Sequence, residues 1–396
     1  MLMESASQSP GTLAHLLAAK EIVVSCGPGG VGKTTAAAAA AAMAAVKHGG
    51  KVLVLTVDPA KRLADALGLG SHSENGGIGN EPQRVPPAAF EEAGLRPRGE
   101  LWAAMLDTKL SWDALVRRHA PDQQTASKIL ANPLYQNISG RFVHSHEYIA
   151  VERLYEIHSE GAFDLIVVDT PPSANALDFL EAPARMADFF SSRLLRWLIV
   201  PYRSRLVNVA SRPFYQMADR ILGTQFLQDI AEFFMLFQTM YRGFVERASA
   251  VTRLLHDRRT TFMVISTLDV APLREAEDFI QALHEEKFHL GAVVLNKVLP
   301  AYLRSAEGRD VAERMRANSD GLAEKLAPEI GEVAQVSRVL SEVAESFLNY
   351  QVVASREAEQ ESELSSVPDV VVSVPYFETD IYDLAGLARL GESIWS

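Results

Sequence analysis

Gly27-Pro28-Gly29-Gly30-Val31-Gly32-Lys33-Thr34 matches the phosphate-binding pattern G-x-x-x-x-G-K-[ST], and this match predicts a phosphate-loop fold. An apolar run, Ile22 to Val24, precedes it, and an alanine-rich segment, Thr35 to Val46, follows it. A strand, a glycine-rich loop and a helix in this order gather backbone N–H groups and the positive end of the helix dipole around an anion. We expect a nucleoside triphosphate to bind here, in contact with Gly27, Gly29, Gly30, Val31, Gly32, Lys33, Thr34 and Thr35.

Composition restricts the class of protein. The chain has 396 residues, of which 48% are hydrophobic and 22% are charged, so it has ample material for a large core. A formal net charge of -12 argues against binding nucleic acid through overall electrostatics, and we expect no nucleic-acid partner.

The single cysteine and the absence of long apolar runs indicate the compartment. Cys26 alone can form neither an intramolecular disulfide nor a cysteine zinc site, and we expect it to be a small buried residue. The segment 1–11 is polar and lacks the features of a secretory signal. The apolar stretches 189–200 and 226–244 are interrupted by charges and fall short of the ~20 residues that a membrane span needs. We therefore expect a cytoplasmic protein with no transmembrane segment.

Seven short apolar runs with helical patterns between them predict the fold. Several of these runs do not alternate with polar residues, which is typical of strands covered by helices on both faces. We expect an α/β fold with a doubly wound, mostly parallel sheet, forming one phosphate-loop domain over residues 1–396. The predicted strands are 22–25, 52–57, 101–106, 165–168, 262–266, 292–295 and 370–374. Between Gly68 and Glu100 the glycine, serine, asparagine and proline content predicts a surface loop without apolar anchors.

Two helical blocks lie outside the predicted sheet. Residues 179–255 are rich in Phe, Met, Leu and Arg, and we expect an inserted α-helical subdomain over one edge of the sheet. Residues 302–366 have the charge pattern of solvent-facing helices followed by a linker into the last strand.

Two aspartates follow predicted strands and are candidates for the chemistry. Asp58 follows the run 52–57, which we expect beside the phosphate-loop strand, and there it would orient an attacking water. Asp169 ends the apolar run 165–168, which is the usual position of the acidic residue that holds magnesium. Magnesium keeps several waters, so Thr34 and Asp169 would suffice as its protein ligands. Alone, each aspartate also fits a turn or a helix cap.

Three motifs resemble those of the ArsA family. They are Gly-Gly-Val-Gly-Lys-Thr-Thr at 29–35, Thr-Val-Asp-Pro-Ala at 56–60 and Asp-Thr-Pro-Pro at 169–172. This family contains the arsenite-pump ATPase and the eukaryotic ATPase that guides tail-anchored proteins to the endoplasmic reticulum. The sequence looks most similar to single-core bacterial members, some of which occur as adjacent gene pairs.

The resemblance implies a magnesium-dependent ATPase that works as a homodimer or as a heterodimer with a related ATPase. It implies that Asp58 positions the water, that Lys33 takes part in catalysis, and that Asp169 opens a segment that responds to the terminal phosphate. It also implies that Asn296 hydrogen-bonds the adenine and that the block at 374–377, which includes Pro375, passes beside the base. On sequence alone, Asn296 is equally compatible with a turn at a strand end.

Two departures from the family pattern narrow these expectations. Pro28 stands where members commonly carry a lysine that reaches the partner's phosphates, and proline supplies neither a charge nor an N–H donor. Residues 297–316 contain no cysteine, which excludes a zinc-clasped dimer and activation by arsenite through thiolates.

Three functions remain open. The first is an ATP-driven dimeric switch that alters its grip on a hydrophobic client or a membrane protein. The second is a soluble energising subunit of an anion-efflux system, and the third is a weakly hydrolysing scaffold paired with a paralogue, which Pro28 favours. The Met- and Phe-rich runs 186–190 and 233–241 would form a client groove in the first case, but an apolar stripe at helical spacing is more often core.

Overall fold

A single eight-stranded sheet organises the protein. The structure is a computed structural model that describes residues 12–57, 61–69, 79–138, 145–170, 180–185, 188, 224–364 and 368–395. The strands are β1 (Ile22–Cys26), β2 (Lys51–Thr56), β3 (Gln83–Arg84), β4 (Glu100–Met105), β5 (Leu165–Asp169), β6 (Thr260–Ser266), β7 (Leu290–Val298) and β8 (Val370–Pro375). They lie in the order β3-β4-β2-β5-β1-β6-β7-β8.

The sheet is parallel except at one edge. All of the observed pairings are parallel apart from that of β3 with β4. Every residue of β1, β5 and β6 is buried, as expected for strands that helices cover on both faces. The predicted α/β fold with a mostly parallel sheet is therefore confirmed, and each of the seven predicted strands is present.

Helices connect these strands. Besides the helical residues 180–185, the α-helices of the described residues are α1 (Leu13–Ala18), α2 (Lys33–Lys47), α3 (Lys61–Ala66), α4 (Pro87–Glu92), α5 (Thr108–His119), α6 (Gln123–Ala131), α7 (Pro133–Ile138), α8 (Ser145–Glu160), α9 (Thr224–Phe237), α10 (Tyr241–Leu255), α11 (Val270–Glu285), α12 (Ala306–Ala317), α13 (Ser319–Ile330), α14 (Val333–Leu364) and α15 (Leu384–Trp395). None of them is both long enough and apolar enough to cross a membrane.

Two large cores lie on opposite faces of the sheet. One is built on α2, whose residues from Ala36 to Ala45 are all buried, together with α1 and α15. The other joins α5, α6 and α8 to α10 and α11. Alternate residues of a strand point to opposite faces, so Val23 belongs to the first core and Val24 to the second.

The region 68–100, predicted as a loop without apolar anchors, contains regular structure over its described part. β3 pairs with the edge strand β4, and α4 follows it. Val85 and Phe90 are buried in the core of the α2 face. The prediction was wrong here because two apolar residues in a polar segment show no periodicity, yet they suffice to attach the segment to the sheet edge.

The second correction concerns the predicted helical insertion. Its described helices α9 and α10 pack over a face of the sheet, with α10 against α8 and the interior strand β6, and not over an edge. The reason is that their apolar stripe continues the core of that face.

The run 233–241 belongs mainly to that core. Phe233, Phe237 and Met240 are buried, and the rings of Phe237 and Phe244 stack with centroids 5.3 Å apart. These three side chains therefore have the core role, whereas Phe234, Met235 and Leu236 are only partly buried. The other Met- and Phe-rich run, 186–190, lies outside the described residues apart from position 188.

Candidate nucleotide site

The glycine-rich loop joins β1 to α2 at the carboxyl edge of the sheet. Gly27, Gly30 and Gly32 have φ angles of 143°, 77° and 95°, in the left-handed region that favours glycine. A Cβ atom at Gly27 would collide with the carbonyl oxygen of Ile265 on β6, so the loop starts in close contact with the neighbouring strand. Gly29 and Gly30 are exposed at the crest, and a Cβ at Gly30 would meet nothing within 4 Å. The loop therefore has an open side on which an anion can sit.

Lys33 opens α2 and is buried, with 6% of its surface exposed. Its Nζ donates a hydrogen bond to the carbonyl oxygen of Pro28, at 2.7 Å. Proline lacks the backbone N–H but keeps the carbonyl, so Pro28 can still accept this hydrogen bond. The bond holds the Lys33 ammonium across the loop, in the position where it would contact a phosphate.

Asp169 is the centre of the polar cluster beside the loop. β5 lies next to β1, and Asp169 is paired in register with Ser25 near the end of β1. Its buried Oδ2 accepts hydrogen bonds from the hydroxyls of Thr34, at 2.7 Å, and Thr56, at 3.0 Å. Two candidate metal ligands, Thr34 and Asp169, are thus in direct contact although 135 positions separate them in the sequence.

The expectation that β2 lies beside the phosphate-loop strand was wrong. β5 stands between β1 and β2, because the chain returns to the centre of the sheet after β4. The carboxyl end of β2 is consequently one strand further from the loop, and Thr56 reaches the site through Asp169. Asp58 itself lies outside the described residues.

Asn296 lies on the other side of the loop, near the end of β7. Its Nδ2 donates to the carbonyl oxygen of Val31, at 2.8 Å, and its Oδ1 accepts from the backbone N–H of Lys297, at 3.0 Å. Pro375 pairs with Val298 at the same edge of the sheet. Asn296 and Pro375 therefore lie on neighbouring strands at the edge that carries the loop, and the Asn296 amide is hydrogen-bonded to the loop.

Sequence patterns did not single out two threonines of the site. Thr56 ends β2 and holds Asp169, whereas Thr170 donates from its hydroxyl and its N–H to the carbonyl oxygen of Ser25, at 2.9 and 3.2 Å. The two hydrogen bonds of Thr170 attach the chain that follows Asp169 to β1. Both threonines belong to motifs that carry the family resemblance, 56–60 and 169–172, but the motifs alone gave neither residue a role.

The donor set fits a nucleotide with magnesium. The open crest at Gly30 leaves room for phosphate oxygens, and Lys33 supplies a positive charge beside it. Thr34 and Asp169 offer a hydroxyl and a carboxylate oxygen, the hard ligands that Mg²⁺ prefers. Among the described residues no group of three or more His, Cys, Asp or Glu side chains is placed to bind a metal, so the pair of Thr34 and Asp169 is the better candidate.

A parallel sheet with a phosphate loop between β1 and α2, and an aspartate at the end of the adjacent strand, defines the class of phosphate-loop nucleoside triphosphatases. Residues 20–324 match the model of the ArsA ATPases, described as anion-transporting ATPases. The chain belongs to this family.

Individual relatives are distant but cover most of the chain. An ATPase ASNA1 homolog of Paramecium tetraurelia is 26% identical over 280 residues, which is 69% of this chain and 73% of the relative. An ATPase ASNA1 homolog of Entamoeba dispar is 24% identical over 74% of this chain and 81% of its own length. A protein of Aquifex aeolicus provisionally named an arsenical pump-driving ATPase is 23% identical over 74% of this chain and 67% of its own length.

Proposed function

We propose that this protein binds Mg²⁺ and ATP and hydrolyses ATP to ADP and phosphate. It would use this cycle as a dimeric switch that changes its affinity for a protein or membrane partner. The observation that carries the proposal is the contact of Thr34 with Asp169, which joins the phosphate loop to the end of β5. A change in what Thr34 binds is thereby passed to the chain that follows Asp169, which continues towards the helical insertion.

Each residue of the site has a role in this proposal. Lys33 exchanges the Pro28 carbonyl for phosphate oxygens, because a charged acceptor binds an ammonium more strongly than a carbonyl does. Thr34 and Asp169 hold the magnesium, which neutralises the charge that develops on the phosphates. Asp58 orients the attacking water, Asn296 turns its amide from the loop to the adenine, and Pro375 lies beside the base.

Phosphate release and nucleotide affinity of single variants test the proposal. We expect Lys33→Ala to lose at least tenfold in ATP affinity. Asp169→Asn is expected to lose magnesium-dependent turnover by a factor of 10² or more, because it removes stabilisation of the transferred phosphoryl group. Lys47→Ala, in the last turn of the same helix and exposed, is the matched control and should retain both. Unchanged turnover in both site variants would refute hydrolysis at this site.

Asp58→Asn separates hydrolysis from binding. If Asp58 positions water, this variant keeps nucleotide affinity and loses turnover, since the side chain would act only on the attacking group. A loss of affinity equal to the loss of turnover would instead assign Asp58 to nucleotide binding.

The family description favours a second function, that of an energising subunit of an anion-efflux system. In that case turnover would depend on a membrane transporter, and anions would accumulate in inverted vesicles only when both proteins are present. The buried Cys26, whose pKa is raised by burial, is a poor thiolate ligand for arsenite, so we expect no activation by arsenite.

Pro28 favours a third function, a weakly hydrolysing scaffold that needs a related ATPase as its partner. Turnover that rises only on mixing with a paralogue would support it. Restoring a lysine by Pro28→Lys should then raise the turnover of the isolated protein.

A further inference from the structure

Exposed apolar side chains of the described residues are concentrated in one region. Of the 14 large hydrophobic residues that are exposed, ten fall between positions 302 and 353. They are Tyr302, Val311, Leu326, Ile330, Val333, Val339, Val343, Tyr350, Val352 and Val353. Single exposed apolar residues need no explanation, but a concentration of them marks an interaction surface.

These residues lie on α12, α13 and α14 and on the turn just before them, and we call the three helices the arm. Near its base, Glu357 accepts from the N–H of Leu299, just after β7, at 2.9 Å. One turn later, Glu361 accepts from the hydroxyl of Ser373, which pairs with Leu295 further inside the sheet. The last turns of α14 therefore run back along the sheet from its carboxyl edge.

The rest of the arm extends outward from the same edge as the phosphate loop. Residues 333–356 precede Glu357 in one continuous helix, so they project from the carboxyl edge. At a rise of 1.5 Å per residue, these residues extend over about 36 Å. Because the strands from β4 to β8 are parallel, that edge is the one that carries Gly30 and Asn296.

The arm has internal packing of its own. Ala323, Ala327 and Val336 form a small core that is separate from the two large ones. Arg309 donates to the side-chain oxygen of Gln351, at 2.8 Å, which joins α12 to α14 near the base. The arm is therefore held by internal contacts, and none of those named here involves the exposed Val339, Val343 or Tyr350.

One stripe of α14 has the spacing of a helix-pairing surface. Val339, Val343, Ser346, Tyr350 and Val353 follow each other at intervals of four, three, four and three residues. Such a repeat averages 3.5 residues and keeps one face turned towards a partner helix. The four apolar members are each between 46% and 56% exposed.

We propose that the arm pairs with the arm of a second copy of this chain, with the two α14 helices antiparallel. The charges choose the orientation. α14 carries the carboxylates of Glu357, Glu359, Glu361 and Glu363 at its base. Parallel pairing would set these acidic runs side by side, whereas antiparallel pairing puts them at opposite ends.

Antiparallel pairing also agrees with the direction of the arm. If the proposed dimer sets two copies with their nucleotide edges facing each other, their arms extend towards each other and pass in opposite directions. The same stripe serves both copies, as a two-fold interface requires. This inference rests on the proposed dimeric switch and assigns its contact surface.

The size of the surface predicts a weak dimer. A helix of 32 residues is about 48 Å long and about 10 Å wide, so its face projects on the order of 480 Å². A stable interface buries about 800 Å² on each partner. Pairing of the arms alone therefore falls short, and we expect nucleotide to strengthen the association.

Cysteine crosslinking of the full-length protein tests the contact and its orientation. Ser346→Cys, near the middle of the stripe, should form a crosslinked dimer with a short bis-maleimide, whereas the wild type with only the buried Cys26 should not. Val339→Cys mixed with Val353→Cys should crosslink, and Val339→Cys alone should not, because antiparallel helices bring opposite ends together. Crosslinking of Val339→Cys alone would overturn the antiparallel arrangement.

A charge in the stripe supplies the second test. Val343→Asp should weaken the dimer at least tenfold in sedimentation, while Leu110→Asp, at an equally exposed apolar residue outside the arm, should leave it unchanged. If ATP is hydrolysed but Ser346→Cys fails to crosslink with ATP, with ADP and without nucleotide, the arm proposal is wrong and the ATPase proposal stands. If no ATP is hydrolysed but Ser346→Cys still crosslinks and Val343→Asp abolishes it, the arm proposal stands alone.

Discussion

At the scale of single residues, the phosphate loop depends on glycines for two different reasons. Gly27 combines a φ of 143° with a position where a Cβ atom would enter the carbonyl oxygen of Ile265. Gly30 has a φ of 77° but open space around it. The first position is restricted by both backbone strain and packing, and the second by backbone strain alone.

Alanine at these two positions should separate strain from packing. We expect Gly27→Ala to lower the free energy of unfolding by about 3–5 kcal/mol, because β6 must move. Gly30→Ala should cost only about 1–2 kcal/mol, the usual cost of a left-handed residue with a side chain. Urea denaturation measures both, and equal losses would show that the contact with Ile265 does not constrain the loop.

His119 makes stability depend on pH. Partial burial, with the charges of Arg247 and Arg118 as further causes, lowers its pKa from 6.5 to about 4. The unfolded chain therefore binds the proton first as the pH falls, so stability that is present above pH 6.5 is lost between pH 6.5 and 4.

Replacing His119 should flatten that dependence. Because His119 is only half-buried, we expect the loss to be on the order of 1–2 kcal/mol after allowing for solvent screening. In His119→Gln, urea denaturation at pH 5 and 7.5 should show a smaller difference than in the wild type. His284→Gln, at an exposed histidine, is the control, and an equal effect of both variants would exclude His119 as the cause.

At the scale of elements, the helix that carries the phosphate loop is packed unusually closely. α2 is buried along its alanines, and α15 approaches it so nearly that a Cβ at Gly391 would overlap the side chain of Met43. The carbonyl oxygen of Ala39 lies 3.3 Å from the same point. Small residues on both helices allow this approach, which holds α2 against the sheet.

A double-mutant cycle should measure this contact. Gly391→Ala should destabilise the protein by about 1–3 kcal/mol through overpacking, and Met43→Ala by about 2–5 kcal/mol through a cavity. The double variant should lose less than the sum by at least about 0.5 kcal/mol, because the smaller side chain makes room for the methyl group. Additive losses would show that the two helices relax independently.

At the scale of the whole molecule, the site is assembled from chain segments that are far apart in sequence. Thr34, Thr56, Asp169 and Asn296 come from the loop and from the ends of three strands, and all lie at the carboxyl edge of one sheet. A ligand that contacts these segments together binds the native state alone, so binding should stabilise the entire sheet.

Nucleotide should therefore raise the stability of the whole protein. With ATP and magnesium at 100 times the dissociation constant, we expect a gain of about 2.7 kcal/mol in the free energy of unfolding. A tenfold loss of affinity in Lys33→Ala leaves only about 1.4 kcal/mol, so this variant should lose at least about half of the gain, and Asp169→Asn should lose the part that depends on magnesium. An undiminished gain in Lys33→Ala, measured by urea denaturation with and without nucleotide, would place binding elsewhere.

The sequence was enough to predict seven of the eight strands in the sheet, the phosphate loop and the class of protein. These follow from local patterns: uninterrupted apolar runs predict buried strands, and Gly27 to Thr34 is contiguous. β3 escaped prediction because two residues that pair at an edge carry no periodicity. The role of Asp58 stays a prediction from sequence.

Which residues come into contact depends on tertiary packing. Strand order depends on how helices pack over the sheet, so β5 and not β2 lies beside β1, and Asp169 and not Asp58 touches Thr34. The core role of Phe237 required its contact with Trp112, which is 125 positions away in the chain. The exposed stripe on α14 likewise became evident only from the packing of that helix, in which Val336 is buried within the arm while Val339 and Val343 stay about half exposed, because a sequence gives the period of a helix but not which of its faces is covered.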